Sequence, residues 1–221
     1  MFDLSFARSL RRHPLSLMSQ DPTPEADSTH HSAAEQDLAW MEQVKEGDTE
    51  AFRLLIETHQ TRVIGTVAKM LGDDTDAEDI AQQVFIRVWN SAARYTPSAK
   101  FTTWLFKITR NLVFNELRRR KRHPAVPLDQ GSDGEFEHQV ADPAGGSPAA
   151  SMLDGELQEA IQMAIDALPE TQRMAVILRR YEELSYEEIG EVLELSVPAV
   201  KSTLFRARAE LRERLQKYLR G

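Results

Sequence analysis

From Ser185 to Leu211 the sequence permits little besides a short helix, a tight turn and a longer helix. Ser185-Tyr186-Glu187-Glu188 has the reciprocal capping-box form that starts a helix. Ile189, Val192 and Leu193 then fall on one face of it. Glu194-Leu195-Ser196 breaks the period, Ser196 is suited to cap the next helix, and Pro198 is tolerated in its first turn. Val200, Leu204, Ala207 and Leu211 recur at i, i+4, i+7 and i+11, which leaves Lys201, Ser202, Phe205, Arg206 and Arg208 on the opposite face. A short helix, a three-residue turn and a basic second helix together predict a helix-turn-helix whose second helix is shaped to enter a major groove. Lys201 and Ser202 stand early enough to reach base edges, while Arg206, Arg208 and Arg212 suit phosphates or guanines.

A second basic tract lies far upstream, at Phe101–Arg122. Phe101, Trp104, Leu105, Ile108 and Leu112 form an apolar stripe at i, i+3, i+4, i+7 and i+11. Trp104, Phe106 and Phe114 alternate with Lys107, Arg110, Asn111 and Asn115, a mixture of rings, cations and amides that suits unpaired nucleotides. The run Arg118, Arg119, Arg120, Lys121, Arg122 repels itself unless a polyanion or solvent accommodates it. The whole chain carries a net charge of −8, so these tracts are local concentrations of positive charge on an acidic protein.

The rest of the chain reads as helix. Leu38, Met41 and Val44 precede a stop at Gly47-Asp48, and Ala51, Phe52, Leu55, Ile56, His59 and Val63 continue on one face. Thr75-Asp76-Ala77-Glu78 has capping-box form ahead of Ile80, Val84, Phe85, Val88 and Trp89. That helix turns Asp79, Gln82, Gln83 and Arg87 outward, a face that is either solvated or turned to a partner. Leu157, Ile161 and Ile165 resume the helical period after a gap, and Leu168-Pro169 opens another helix through Met174, Val176, Ile177 and Leu178. No segment alternates as a strand does. The expected fold is therefore all-α: two small helical domains, the second a helix-turn-helix, joined by a flexible acidic linker.

The expected boundaries are a disordered tail at 1–35, a helical domain at 36–122, the linker at 123–151 and the second domain at 152–221. The tail is rich in Pro, Ser and Asp, and Met18 is an alternative start. The linker carries Asp129, Asp133, Glu135, Glu137 and Asp142.

Composition removes several classes of function. The chain has 0 cysteines, which excludes disulfide frameworks and thiolate zinc sites. The 6 histidines, His13, His30, His31, His59, His123 and His138, never take metal-ligand spacing and read as solvated. The dense acidic cluster Asp73, Asp74, Asp76, Glu78 and Asp79 is explained by helix capping, so no catalytic constellation, cofactor or metal site is expected. No apolar run reaches a membrane-spanning length of ~18 residues and the amino terminus lacks a signal-peptide core, so the expected compartment is the cytoplasm, without membrane insertion.

GDTEAF (Gly47–Phe52), DAEDIAQQVFIRVW (Asp76–Trp89), FTTWLFKITRN (Phe101–Asn111), ALPETQR (Ala167–Arg173), LSYEEIGEVL (Leu184–Leu193) and VPAVKSTLFRAR (Val197–Arg208) occur in that order. With these markers the chain resembles the extracytoplasmic-function (ECF) class of bacterial RNA polymerase sigma factors. The resemblance implies a factor that binds core RNA polymerase and directs initiation at particular promoters. It implies that Asp79, Gln82, Gln83 and Arg87 dock on the clamp of the polymerase's largest subunit. It further implies that the first basic tract and the loop before it hold the melted −10 strand. The residues expected there are Tyr95, Lys100, Trp104, Lys107, Asn111, Asn115, Arg118 and Arg119. Lys201, Ser202, Phe205, Arg206 and Arg208 would read the duplex −35 element. Gln83 departs from the family, where many members carry Glu. The implied partners are core polymerase, promoter DNA and an anti-sigma factor, with no small-molecule substrate.

The physical requirements of such a factor can be met. Holding an extruded base costs a few kcal/mol, which a pocket and ring stacking must offset. The two DNA elements lie roughly 35–70 Å apart, and about thirty linker residues have a contour near ~100 Å, so bridging needs a partly extended linker. A stand-alone helix-turn-helix regulator is the alternative, but it leaves the first basic tract without a purpose.

Overall fold

The computed structural model describes residues 24–72, 76–97, 99–123 and 148–219. The expected tail before residue 24, the linker residues 124–147, Thr75, Ser98 and Arg220 lie outside the described residues. The regular structure is helical throughout the described residues.

The first half comprises α1 (Pro24–Lys45), α2 (Thr49–Leu71), α3 (Ala77–Ser91), a 3-10 turn (Ala92–Arg94) and α4 (Phe101–Arg122). The second comprises α5 (Pro148–Asp166), α6 (Glu170–Arg180), α7 (Tyr186–Leu193), α8 (Val197–Arg214) and α9 (Gln216–Leu219). Two helices start earlier than the sequence pattern suggests: residues 24–35 belong to α1 rather than to a tail, and α5 begins at Pro148. Both begin with proline at the first helical position, where its missing N–H is not needed and its φ is already helical. Their polar, alanine-containing first turns carry no apolar period, and so gave the sequence reading nothing to detect.

The helix ends follow local chemistry. Gly47 turns the chain at φ +90, and the Asp48 carboxylate accepts from the N–H groups of Glu50 at 2.8 Å and Ala51 at 3.1 Å. Replacing Asp48 with alanine is expected to lower stability by about 1 kcal/mol, read as a shifted urea midpoint at unchanged slope. At α7 the capping box forms in both directions: Ser185 Oγ accepts from Glu188 N at 3.1 Å, and Glu188 Oε2 accepts from Ser185 N at 2.7 Å. The expected Ser196 cap makes no side-chain bond to α8. The capping residue of the box expected at Thr75 lies outside the described residues, and the Asp76 carboxylate before α3 accepts from Arg120 Nη2 at 2.6 Å.

Around the core of the first half, Met41, Leu55, Val63, Met70, Val84, Val88, Phe101, Leu105, Phe106 and Val113 are all buried. Phe106 is 1% exposed, which removes it from the rings expected to face nucleotides. His59 also departs from expectation. It is buried, with Nε2 2.8 Å from Asp37 Oδ1 and its ring 5.3 Å from that of Phe101. This pair ties α1 to α2 beneath the start of α4. In the second half Met174, Ile177, Leu178, Ile189, Val192, Val200 and Leu204 close the core under the helix-turn-helix. A smaller cluster of Leu157, Ile161 and Ile165 from α5 packs with Leu215.

The halves pack on one another, α2 against α6 and α4 along α7, and their buried apolar residues form one continuous core. Arg173 of α6 reaches across this junction. Its guanidinium donates to the carbonyl oxygen of Met70 at 2.7 Å and to that of Asp166.

Candidate nucleic-acid and protein interfaces

The second helix of the helix-turn-helix presents the expected face. Lys201, Ser202, Phe205 and Arg206 are exposed, and Arg208 is half-buried. Phe205 is 68% exposed, which is unusual for so large a ring and is consistent with a surface made for contact. Val200, Thr203, Leu204 and Ala207 hold the inner side. The turn is made by Glu194 in the left-handed conformation at φ 59, with Leu195 N–H donating to Gly190 O at 2.8 Å.

The surface of α4 is more mixed. Asn111 and Asn115 are exposed, and each accepts through Oδ1 from a neighbouring arginine: Arg110 Nη1 at 2.7 Å and Arg118 Nη2 at 2.8 Å. Lys100 is exposed and Lys107 half-buried. Trp104 is half-buried, 4.8 Å from the Tyr95 ring and 6.1 Å from Phe101.

Tyr95 does not stand free. It is buried beneath Trp104, and its hydroxyl finds no hydrogen-bond partner among the described residues. Burial, with the Asp37 and Glu42 carboxylates adding to it, pushes that hydroxyl up to about 12. Tyr95 is thus a support under the Trp104 ring, not a stacking surface.

The run Arg118–Arg122 is less naked than its sequence suggests. Glu116 accepts from both Arg119 Nε and Nη2 at 2.7 Å and from Arg120 Nε at 3.0 Å. Arg119, then Arg120, holds the Glu116 carboxyl below its usual range. Lys121 reaches Glu170 of the second half at 2.6 Å.

On α3, Asp79, Gln82, Gln83 and Arg87 are exposed on one face, as the period requires. Ile86 lies among them and is 58% exposed. The sequence reading passed over it, although its place out of phase with Ile80, Val84 and Val88 was the available signal. An apolar side chain ringed by amides and charges is the usual centre of a protein–protein contact.

Comparison with known proteins assigns the class. Residues 55–123 match the model of Sigma-70 region 2, and residues 158–211 that of Sigma-70, region 4. The RNA polymerase sigma-H factor of Pseudomonas aeruginosa is 35% identical over 189 residues, covering 84% of this chain and 97% of that protein. The ECF RNA polymerase sigma factor SigW of Bacillus subtilis is 35% identical over 80% of this chain and 95% of its own length. The ECF RNA polymerase sigma-E factor of Escherichia coli is 32% identical over 83% and 96%. The chain belongs to the ECF family of RNA polymerase sigma factors. Its fold is also that of CnrH in complex with the cytosolic domain of CnrY, with a TM-score of 0.59 and 24% identity over 82% of this chain and 98% of that one. The expected all-α fold with two sigma regions therefore holds. Among the described residues no helix is long and apolar enough to cross a membrane.

Proposed function

We propose that this sigma factor divides its work among three surfaces. The α3 face of Asp79, Gln82, Gln83, Ile86 and Arg87 docks on core RNA polymerase, with Ile86 as its apolar centre. On α4, Asn111 and Asn115 read an extruded base of the melted −10 strand beside Trp104, while Lys100, Lys107, Arg118 and Arg119 hold phosphates. The α8 face of Lys201, Ser202, Phe205, Arg206 and Arg208 reads the −35 duplex. The observation that carries this reading is the contrast in character between the two basic helices. The α8 face is exposed and rich in cations, whereas α4 alternates amides with cations beside a supported indole.

The mechanism is binding, not bond chemistry. Stacking and hydrogen bonding to unpaired bases lower the free energy of the open duplex relative to the closed one, and the −35 contact fixes register. No cofactor or metal takes part, and the site of action is the cytoplasm. Solved relatives of this fold include CnrH with the cytosolic domain of CnrY and RpoE with the anti-sigma factor NepR, which supports an anti-sigma factor as a further partner here.

Reconstitution with bacterial core polymerase tests the reading. The chain should direct initiation from a cognate promoter. Asn111→Ala should lower strand opening, followed by permanganate reactivity of unpaired thymines, about tenfold, because one base contact contributes on the order of 1–3 kcal/mol. Upstream duplex binding should stay within about twofold of wild type, since phosphate and −35 contacts remain. Absence of any affinity for core polymerase would sink the proposal.

A further inference from the structure

Asn111 and Asn115 stand one turn apart on the same side of α4, and each is bound by an arginine of that helix. Arg110 Nη1 donates to Asn111 Oδ1 at 2.7 Å, and Arg118 Nη2 donates to Asn115 Oδ1 at 2.8 Å. A guanidinium has donors and no acceptor, so the amide beside it must offer its oxygen. The orientation of both amides is therefore decided before any base arrives.

Both arginines are themselves anchored. Arg110 Nε donates to the carbonyl of Val192 at 2.9 Å, and its Nη2 lies 3.3 Å from Glu194 Oε2. Its guanidinium stands 5.7 Å from the Phe114 ring centroid, and its side chain is 13% exposed, so water competes little for it. Arg118 Nε donates to the carbonyl of Phe114 at 3.2 Å, one turn back in α4. A planar guanidinium tied at more than one nitrogen keeps its plane, and the amide bound to it keeps its own.

What each amide has left for a ligand is its pair of N–H donors. An oxygen already bound by a cation is a weaker acceptor, and a further donor brought to it would face the N–H groups of the guanidinium. The usual grip of asparagine on adenine, oxygen to N6–H and nitrogen to N7, needs both ends of the amide. We infer that Arg110 and Arg118 are positioning residues that turn Asn111 and Asn115 into donor-only readers. The base they select presents two neighbouring acceptors on one edge. Cytosine does so with N3 and O2, and guanine with O6 and N7, whereas adenine and thymine offer no such pair. The surrounding cations, Lys107 among them, favour the same electronegative edges. The inference deepens the assignment of α4 as the strand-holding helix and rests on it.

The test uses holoenzyme assembled from the whole chain and bacterial core polymerase. Its probe is fork-junction promoter DNA with the −10 segment single-stranded, each position carrying the four bases in turn. At one position cytosine or guanine should bind about tenfold more tightly than adenine or thymine, and Asn111→Ala and Asn115→Ala should flatten that preference. Weakened binding of 3-deazacytosine there would assign the cytosine edge, and of 7-deazaguanine the guanine edge. Arg118→Gln gives Asn115 a neighbour that both donates and accepts, so its amide is no longer held one way. The preference should then fall to about threefold, while Arg118→Lys, which also only donates, should keep most of it. Arg110→Gln should act likewise at Asn111. It also cuts the bonds to α7, so the Arg118 variants carry the test.

Absolute affinity falls in both Arg118 variants whatever the base, because this residue also holds a phosphate. The preference is a ratio, which a phosphate contact alone does not move. A wild-type preference for adenine would overturn the inference, and so would a preference that survives Arg118→Gln unchanged. Full affinity for both deaza bases would overturn it as well. If Asn111→Ala and Asn115→Ala alter the preference at no position, the assignment of α4 itself fails.

Discussion

Gly190→Val is expected to abolish recognition of the upstream duplex while leaving the first half folded. A Cβ at Gly190 would lie 2.7 Å from the carbonyl oxygen of Leu195, a backbone atom, and 3.8 Å from Val200 Cγ2. That carbonyl belongs to the turn of the helix-turn-helix, and the N–H group of the same residue, Leu195, is tied back to Gly190 O. The turn therefore cannot swing away without lifting α8 from its seat. The cost of such overpacking is about 2–3 kcal/mol. The measurement is twofold: a urea titration of the chain, and holoenzyme binding to a duplex carrying only the upstream element. A drop of at least about tenfold in that affinity is expected, because misplacing the helix removes base and phosphate contacts together. Wild-type stability and duplex affinity in the variant would disprove the close-approach argument.

His59→Ala should have an effect of similar size in the other half. It removes the partner of Asp37, which is 5% exposed, and leaves both a cavity and a lone buried carboxylate. Orphaning one partner of a buried hydrogen bond costs about 1–3 kcal/mol and the cavity adds to that, so the first half should lose a large part of its margin. A second variant separates the pair from general damage. Replacing both members together, Asp37→Leu with His59→Leu, leaves no orphaned charge and should recover more than half of the loss. If the double variant is as unstable as His59→Ala, the unpaired carboxylate is not the cause. Because the His59 ring sits against Phe101 at the start of α4, the single variant should also blunt strand capture.

The sequence was most legible where each residue answers to its own neighbours. The capping box at Ser185, the break at Gly47-Asp48 and the apolar periods of α3, α4 and α8 depend on spacing alone, and the structure has them where spacing puts them. The site residues on α3, and those on α8 except the half-buried Arg208, are exposed for the same reason. What could not be read depends on groups distant in the chain. His59 is buried because Asp37, on another helix, answers it. Phe106 is core because α4 is covered on more than one side, by α2 and by α7, where a single amphipathic stripe implies one. The cation run 118–122 is settled partly by Asp76 and Glu170, which lie 44 and 49 residues from their partners. The packing of one half on the other carried no local signature at all.

Arg173 gives that packing a component that no side-chain acid supplies. The carbonyls it gathers, those of Met70 and Asp166, are in the last turns of α2 and α5, one helix from each half. A helix end of that kind carries roughly half a negative charge from its aligned peptide dipoles. One guanidinium thus neutralises two negative poles, and separating the halves strips it of one of them. Its side chain is 12% exposed, so mobile ions reach it poorly. Substituting every carboxylate at the junction would therefore leave a residual attraction between the halves, one that ionic strength hardly touches.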